Sequence, residues 1–446
     1  ALMKKDPALK AEVSERYQLT PHFGLAGVPG ICKYKPFEAG EHCGVINLER
    51  YAVIKPTVVA ILDSGIAPKD GRFHYWRTQQ EYDQVANLEN QQDLYSDDVI
   101  GVNFVAGGGF PKDDVDVAHA KNHGTHVAGI AACRLGADDL KKSVNARIGL
   151  MVLKVAKSDA SLDPGAIAEA VAYARFHNAH IMNMSFEGPK ALFVKIRMEE
   201  AKKEVLFVVA AGNGTDQSGR DLDTTKPEIY PAVFSKDLPN VISVAAHDAK
   251  PEIACFSNRG GNTIDIAAPG TAIESTIIGT IGSASGTSQA TPFVTFAAAL
   301  LHARGMKWPQ DIKRRLMDST DFYPSMVKMV KSEGILNVTK ALAYDEDIVR
   351  VRNEAEPLIG TIVNPPPITI PNIAKTIPLK SVRKLITGYP TGTTGMTKII
   401  SDLEGVSPSV VDKIALPPIT IIVNGVKRVV LASDILEIIP RMQLTP

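Results

Sequence analysis

Three short segments carry residue types that together can turn a hydroxyl into a nucleophile. Ala60-Ile61-Leu62-Asp63-Ser64-Gly65 sets an aspartate at the end of an apolar run, where its charge is costly unless paired. Asn122-His123-Gly124-Thr125-His126-Val127-Ala128-Gly129 sets a histidine at a helix entry, among small residues that permit close packing. Gly286-Thr287-Ser288-Gln289-Ala290-Thr291-Pro292 sets a serine before an Ala-rich run, at a helix N-terminus that favours a developing oxyanion. Each segment alone has a plain explanation. Asp63 would cap a turn or bind a metal, and Ser288 would be an N-cap. His123 and His126 would be structural, or a metal pair, although the H-E-x-x-H zinc pattern is absent. Together they supply an orienting carboxylate, a base and a nucleophile for acyl transfer. A fourth segment, Val208-Val209-Ala210-Ala211-Gly212-Asn213, ends an apolar strand in an amide able to donate to a tetrahedral oxyanion.

Such side chains need rigid elements behind them. Val58-Val59-Ala60-Ile61-Leu62 reads as a strand buried on both faces, and similar runs recur at 148–155, 180–184, 205–210 and 241–246. Asp163-Pro164-Gly165 opens an Ala-rich helix over 166–177, with Asp163 as N-cap. Strands alternating with helices predict an α/β fold: a mostly parallel sheet with helices on both faces and functional groups at the strands' carboxyl ends. Residues 1–50 form an N-terminal extension, loop-like around Gly27-Val28-Pro29-Gly30, ahead of a catalytic domain over 51–345. Pro365-Pro366-Pro367 follows a change of composition, and 346–446 reads as a small C-terminal α+β domain. That domain repeats itself weakly. Pro366-Pro367-Ile368-Thr369-Ile370 recurs as Pro417-Pro418-Ile419-Thr420-Ile421, each followed by a Leu-x-Ser step, and Asn424-Gly425 is a hairpin signal.

The chain has 446 residues, 49 basic and 49 acidic, so its total charge calls for no nucleic acid. No apolar run reaches the ~18 residues of a membrane span. Its four cysteines lack a C-x-x-C pair; Cys32 and Cys43 suit a disulfide in an exported protein, the alternative being four free thiols. No signal peptide is visible, and export is neither shown nor excluded; of the compartments, secreted or periplasmic is the expectation. The Asn-x-Ser/Thr sequons at Asn183, Asn213 and Asn337 read as chance matches.

On these residues the chain resembles the subtilisin-like serine peptidases, the subtilase family, from about residue 51 to 345. The family's D-[ST]-G block is Asp63-Ser64-Gly65, its H-G-T-H-V-A-G block runs from His123 to Gly129, its A-A-G-N block is Ala210 to Asn213, and its G-T-S-x-A-x-P block runs from Gly286 to Pro292. The Asp…His…Ser order is also the family's. The resemblance implies a serine endopeptidase that hydrolyses peptide bonds of proteins through an acyl-enzyme, with Asp63, His123 and Ser288 as triad and Asn213 in the oxyanion hole. Its partners would be protein or peptide substrates, lying extended between the edge at Ser185 and residues near Ser161. Substrate contacts would come from Ser161, Ser185, Phe186, Glu187, Gly188, Gly212 and Ile229. The rival reading is a catalytically silent protease-fold binding scaffold.

Departures from the family pattern shape further expectations. Gln289 stands where relatives often have Met, and Ser185-Phe186-Glu187-Gly188 replaces S-x-G-G. The calcium loop of secreted relatives is not recognisable over 134–147, and Asp138-Asp139 reads as a solvated acidic turn, so neither metal nor other cofactor is expected. The usual prodomain of ~70–80 residues would not fit in the first 50. Tyr230-Pro231 falls beside the specificity pocket. There Ile229, where some relatives have Gly, would shorten the pocket, whereas Glu187, Asp216, Asp221, Asp223 and Glu228 would favour Arg or Lys. The smaller apolar pocket is the expectation, because exclusion by a side chain is not screened by solvent. The last hundred residues would be an interaction module, a substrate-capture module or a clamp, and a chain ending near Asp345 is expected to keep activity on short peptides.

Overall fold

The computed structural model describes residues 17–19, 55–67, 73–76, 100–105, 111–114, 121–133, 148–214, 218–370, 375–390, 396–402, 409–411, 414 and 416–442. Ten strands position the site: β1 Tyr17–Leu19, β2 Thr57–Asp63, β3 Gly101–Asn103, β4 Ile148–Lys154, β5 Ser161–Leu162, β6 Ile181–Met184, β7 Phe186–Glu187, β8 Leu206–Ala210, β9 Val241–His247 and β10 Ile266–Pro269. Four helices flank them: α1 His123–Ala131, α2 Pro164–Phe176, α3 Leu192–Glu200 and α4 Thr287–Ala303.

A nine-stranded sheet runs in the order Asp321–Phe322, Gly334–Ile335, β10, β9, β8, β6, β2, β4, β3. Its pairings are parallel except that of Asp321–Phe322 with Gly334–Ile335. The apolar run of β2 follows from its central place. Val59 and Ile61 face one core, with α1 and α4, while Ala60 and Leu62 face the other, with α2 and α3. Asp163 caps α2 as its sequence predicts, its carboxylate accepting from the N–H groups of Gly165 and Ala166. Every residue of α4 is buried, since this helix crosses beneath the central strands and packs on α1.

The C-terminal region has its own antiparallel sheet of eight strands and its own apolar cluster, including Val349, Leu385 and Ile438. The internal echo has a structural counterpart. Pro367–Ile370 pairs with Lys375–Pro378, a single 3-10 turn at Leu379–Ser381 follows, then strand Val382–Thr387. Ile419–Val423 pairs with Val426–Val430, a 3-10 turn at Ala432–Asp434 follows, then strand Ile435–Ile439. The two last strands are hydrogen-bonded neighbours. Asn424 and Gly425 both have positive φ, 50° and 79°, as a two-residue hairpin turn requires. Among the described residues after 345, the helical content expected there consists of these 3-10 turns.

This sheet is welded to the parallel one. Ile348, Ile359 and Ile439 belong to the same apolar cluster as α1 and α4. Beside them, Glu437 receives Lys340 on one oxygen and Lys384, at 3.1 Å, on the other. Lys340 also pairs with Asp321 at 2.8 Å, and Lys384 donates to the Thr320 carbonyl at 2.7 Å. Arg383 grips Asp318 with two bonds of 2.7 and 2.8 Å.

Cys133 and Cys255 each take part in a disulfide, which corrects the alternative of free thiols at these positions. Cys32 and Cys43, Asp138-Asp139, Asp216 and the turn at Gly27–Gly30 lie outside the described residues. Among the described residues no helix is long and apolar enough to cross a membrane.

Candidate active site

Strand β2 delivers Asp63 at its carboxyl end, between β4 and β6, and its first turn is tied down at once. The Asp63 carboxylate accepts from the Ser64 N–H at 2.8 Å and from His123 Nδ1 at 2.7 Å through the same oxygen. His123 opens α1 and, like Asp63, is fully buried. With Nδ1 carrying its proton toward Asp63, the ring's basic lone pair is on Nε2. Close approach of α1 to the turn requires Gly124, since a Cβ there would collide with the Gly65 carbonyl and the Ser64 hydroxyl. Ser64 Oγ instead accepts from the Gly124 N–H at 2.8 Å.

Behind this pair lies a carboxylate that sequence reasoning missed. Asp113 accepts from Ser64 Oγ at 2.8 Å and from the N–H and hydroxyl of Thr125 at 3.0 and 2.6 Å. Burial raises its carboxyl above the ordinary range, these hydrogen bonds opposing the shift. Lys154, at the end of β4, donates to the Ser64 carbonyl at 2.7 Å. No motif surrounds Asp113, so only its spatial neighbours mark it. His126 is used structurally: Nε2 donates to the carbonyls of Ile273 and Gly282 at 3.1 and 3.2 Å, and burial, then His123, lowers its pKa to about 4.

Ser288 is the second residue of α4 and fully buried. Its hydroxyl donates to the Ser185 carbonyl at 3.1 Å, while Ser185 Oγ donates to the Ser288 carbonyl at 3.0 Å. Ser185 is held in turn by Asn183, whose Oδ1 accepts from Thr295 on α4 at 2.8 Å. Asn213 follows β8. Its Oδ1 accepts from the Thr287 N–H and hydroxyl at 3.1 and 3.0 Å, so the amide is oriented with its Nδ2 donor on the other side. Thr287, a second residue not singled out from sequence, thereby sets the direction of that donor.

The remaining residues named from sequence fall in two groups. Ser161 lies on β5, Phe186 and Glu187 on β7, and Gly188 bridges Tyr230, whose bond to Pro231 is cis. Gly212 has φ 87° and packs directly on the Glu187 carboxylate, where a Cβ would collide. Ile229 stands apart. It is half-buried and packs on an apolar cluster of Ala211, Leu222, Ala232 and Met326. Strand β1 runs antiparallel between β5 and β7, with Gln18 opposite both Ser161 and Glu187 and Leu19 opposite Phe186. A segment of the chain itself thus lies between the two edges expected to hold substrate.

Residues 55–345 match the model of the Subtilase family. Subtilisin E from Bacillus subtilis is 32% identical over 54% of this chain and 60% of its own length. Subtilisin from Bacillus pumilus is 32% identical over 54% of this chain and 82% of its own. The chain therefore spans about three fifths of the first of these relatives. The A-subunit of the AB5 toxin from E. coli shares the fold, with a TM-score of 0.52 at 22% identity over 69% of this chain and 99% of that one. The aspartate at a strand end, the histidine paired with it and the serine opening a buried helix all lie inside the matched span, and the chain belongs to the subtilase family.

Proposed function

We propose that the protein is a serine endopeptidase that cleaves peptide bonds of protein substrates through Ser288, His123 and Asp63. The observation that carries this reading is the His123–Asp63 contact of 2.7 Å between two fully buried side chains, with Ser288 at the start of a helix packed on that of His123. In the reaction, the Ser288 hydroxyl turns from Ser185 toward His123. Nε2 takes its proton as Oγ bonds to the substrate carbonyl carbon. Negative charge collects on the carbonyl oxygen, facing the Asn213 amide and the Ser288 N–H at the helix start. His123 then gives the proton to the leaving nitrogen, the C–N bond breaks, and water releases the acyl group by the same steps in reverse roles. Asp63 holds the ring's tautomer and stabilises the imidazolium.

The test is Ser288→Ala together with a phosphonylating serine reagent. Wild type should be labelled at Ser288 and lose turnover. The variant should retain its fold, escape labelling and keep only the weak background of order 10³–10⁴ over water that binding and the oxyanion donors supply. Full turnover in the variant would refute the assignment, and an unlabelled, inert wild type would favour the silent scaffold.

A further inference from the structure

Strand β7 alternates its side chains, so Phe186 enters the core shared with α2 and α3 while Glu187 faces the opposite way. There the Glu187 carboxylate lies against Gly212 and accepts the backbone N–H of Asn213. Asn213 is the residue whose side chain would hold the substrate oxyanion. The carboxylate is therefore anchored on the backbone of the residue whose side-chain amide would fix the attacked carbonyl, and it would lie within reach of the side chain of the residue bearing that carbonyl.

The groups around Glu187 offset its charge only in part. Arg220 is close enough to act on it, yet its guanidinium donates to the Pro227 carbonyl at 2.6 Å, and among the described residues no base forms an ion pair with Glu187. Asn258 Nδ2, also beside Gly212, donates to the Ala211 carbonyl at 3.0 Å. The other described acids of the region are engaged elsewhere. Asp223 binds Asn262 and Thr263, Asp221 accepts from the Asp223 N–H, and Glu228 pairs with Lys226 and the Tyr230 hydroxyl. An apolar side chain packed on Glu187 would bury the carboxylate further without a partner. A guanidinium or ammonium would pair with it, and arginine can do so with two bonds.

We infer that Glu187 makes the protein select substrates with arginine or lysine at the residue whose carbonyl Ser288 attacks. The inference rests on the peptidase reading above, and it is the opposite of the smaller apolar pocket expected from Ile229, whose half-buried side chain packs on the cluster of Ala211 and Met326. Burial pushes the Glu187 carboxyl up to about 7, against the Asn213 N–H and Arg220, which pull it down. Below that pH the group is neutral and the attraction is lost; above it the carboxylate is ionised and the attraction is present.

The experiment measures kcat/KM for matched peptides bearing Arg or Leu before the cleaved bond, from about pH 5.5 to 8.5, in wild type, Glu187→Gln and Glu187→Asp. Titration common to both peptides cancels in the ratio. The Arg/Leu ratio should exceed about tenfold at the alkaline end, the scale of one charge-assisted hydrogen bond, and fall as the pH drops through neutrality. Glu187→Gln should flatten the ratio and its pH dependence, and Glu187→Asp should retain part of both. Labelling of Ser288 by the serine reagent checks that each variant is folded. Cleavage with a ratio unchanged in Glu187→Gln, or with Leu preferred in wild type, overturns the specificity while leaving the peptidase reading intact. No cleavage of either peptide, with Ser288 unlabelled in wild type, overturns both.

Discussion

Asn213 is oriented from its oxygen end, by two donors of Thr287, and this makes its contribution separable. Asn213→Ala removes the donor itself and should lower kcat by ~10²–10³, the loss known for the corresponding amide of subtilisin, with KM little changed. Thr287→Val keeps the N–H contact and loses the hydroxyl one, so it should lower kcat by a smaller factor, about three- to tenfold, one neutral hydrogen bond's worth. Steady-state kinetics on a short peptide decides the matter, and an effect confined to KM would place Asn213 in ground-state binding. These residues divide by how they could be read. Asp63, His123, Ser288 and Asn213 are legible because each sits in a run whose small and apolar neighbours constrain its surroundings. Asp113 and Thr287 are not, since their importance lies in contacts across 49 and 74 residues of chain.

Among elements, length decides what can be recognised. Strands β2, β4 and β9, seven residues each and wholly or almost wholly buried, announce themselves as apolar runs. Helix α2 is legible through its cap and proline. The two-residue strands β5 and β7 and the three-residue β1 carry no periodic signal. They exist because partners complete their hydrogen bonds, and a partner is not visible in a local sequence. The C-terminal hairpin at Asn424-Gly425 is the opposite case, since two consecutive positive-φ positions are a local demand that only a few residue types meet. What pattern could not supply is the order of the eight strands, in which the two Leu-x-Ser units end side by side.

At the scale of the molecule, the buried group of Lys340, Lys384, Glu437 and Asp321 couples the two sheets. Burial raises the Glu437 carboxyl, but Lys340 and Lys384 more than offset this and hold it below its ordinary 4.5. Burial likewise pulls Lys340 down, while Glu437 and Asp321 hold it above 10.5. The contribution of Glu437 to stability is thus full above about pH 4.5 and lost as pH falls through its lowered value, and that of Lys340 is full below 10.5 and lost as pH rises through its raised one. Glu437→Gln leaves Lys340 with Asp321 and takes from buried Lys384 its carboxylate partner, and should cost roughly 3–5 kcal/mol in denaturant unfolding at neutral pH. A cost below about 1 kcal/mol would mean that water reaches the group. Of the roles expected for the last hundred residues, a clamp is the one this coupling predicts. A chain ending near Asp345 would take Glu437 from Lys340, leaving it Asp321 alone, and uncover the cluster shared with Ile348, Ile359 and Ile439, so it should fail to fold, contrary to what sequence suggests.

Strand β1 lies where, on the peptidase reading, a substrate strand would lie, and would be a resident competitor. A tethered segment acts at an effective concentration of roughly millimolar, whatever the dilution of the protein. On the peptidase reading, a substrate would have to displace it from between β5 and β7 before reaching Ser288, which has no exposed surface. Inhibition of this kind is unimolecular: dilution does not relieve it, excess substrate does, and a full-length chain should show an apparent KM well above that of a chain whose strand is broken. Gln18→Pro, which removes a backbone donor from the middle of β1, should lower the apparent KM for a short peptide several-fold, with the maximal rate little altered. An apparent KM identical in the two proteins would mean that β1 yields its place at no energetic cost.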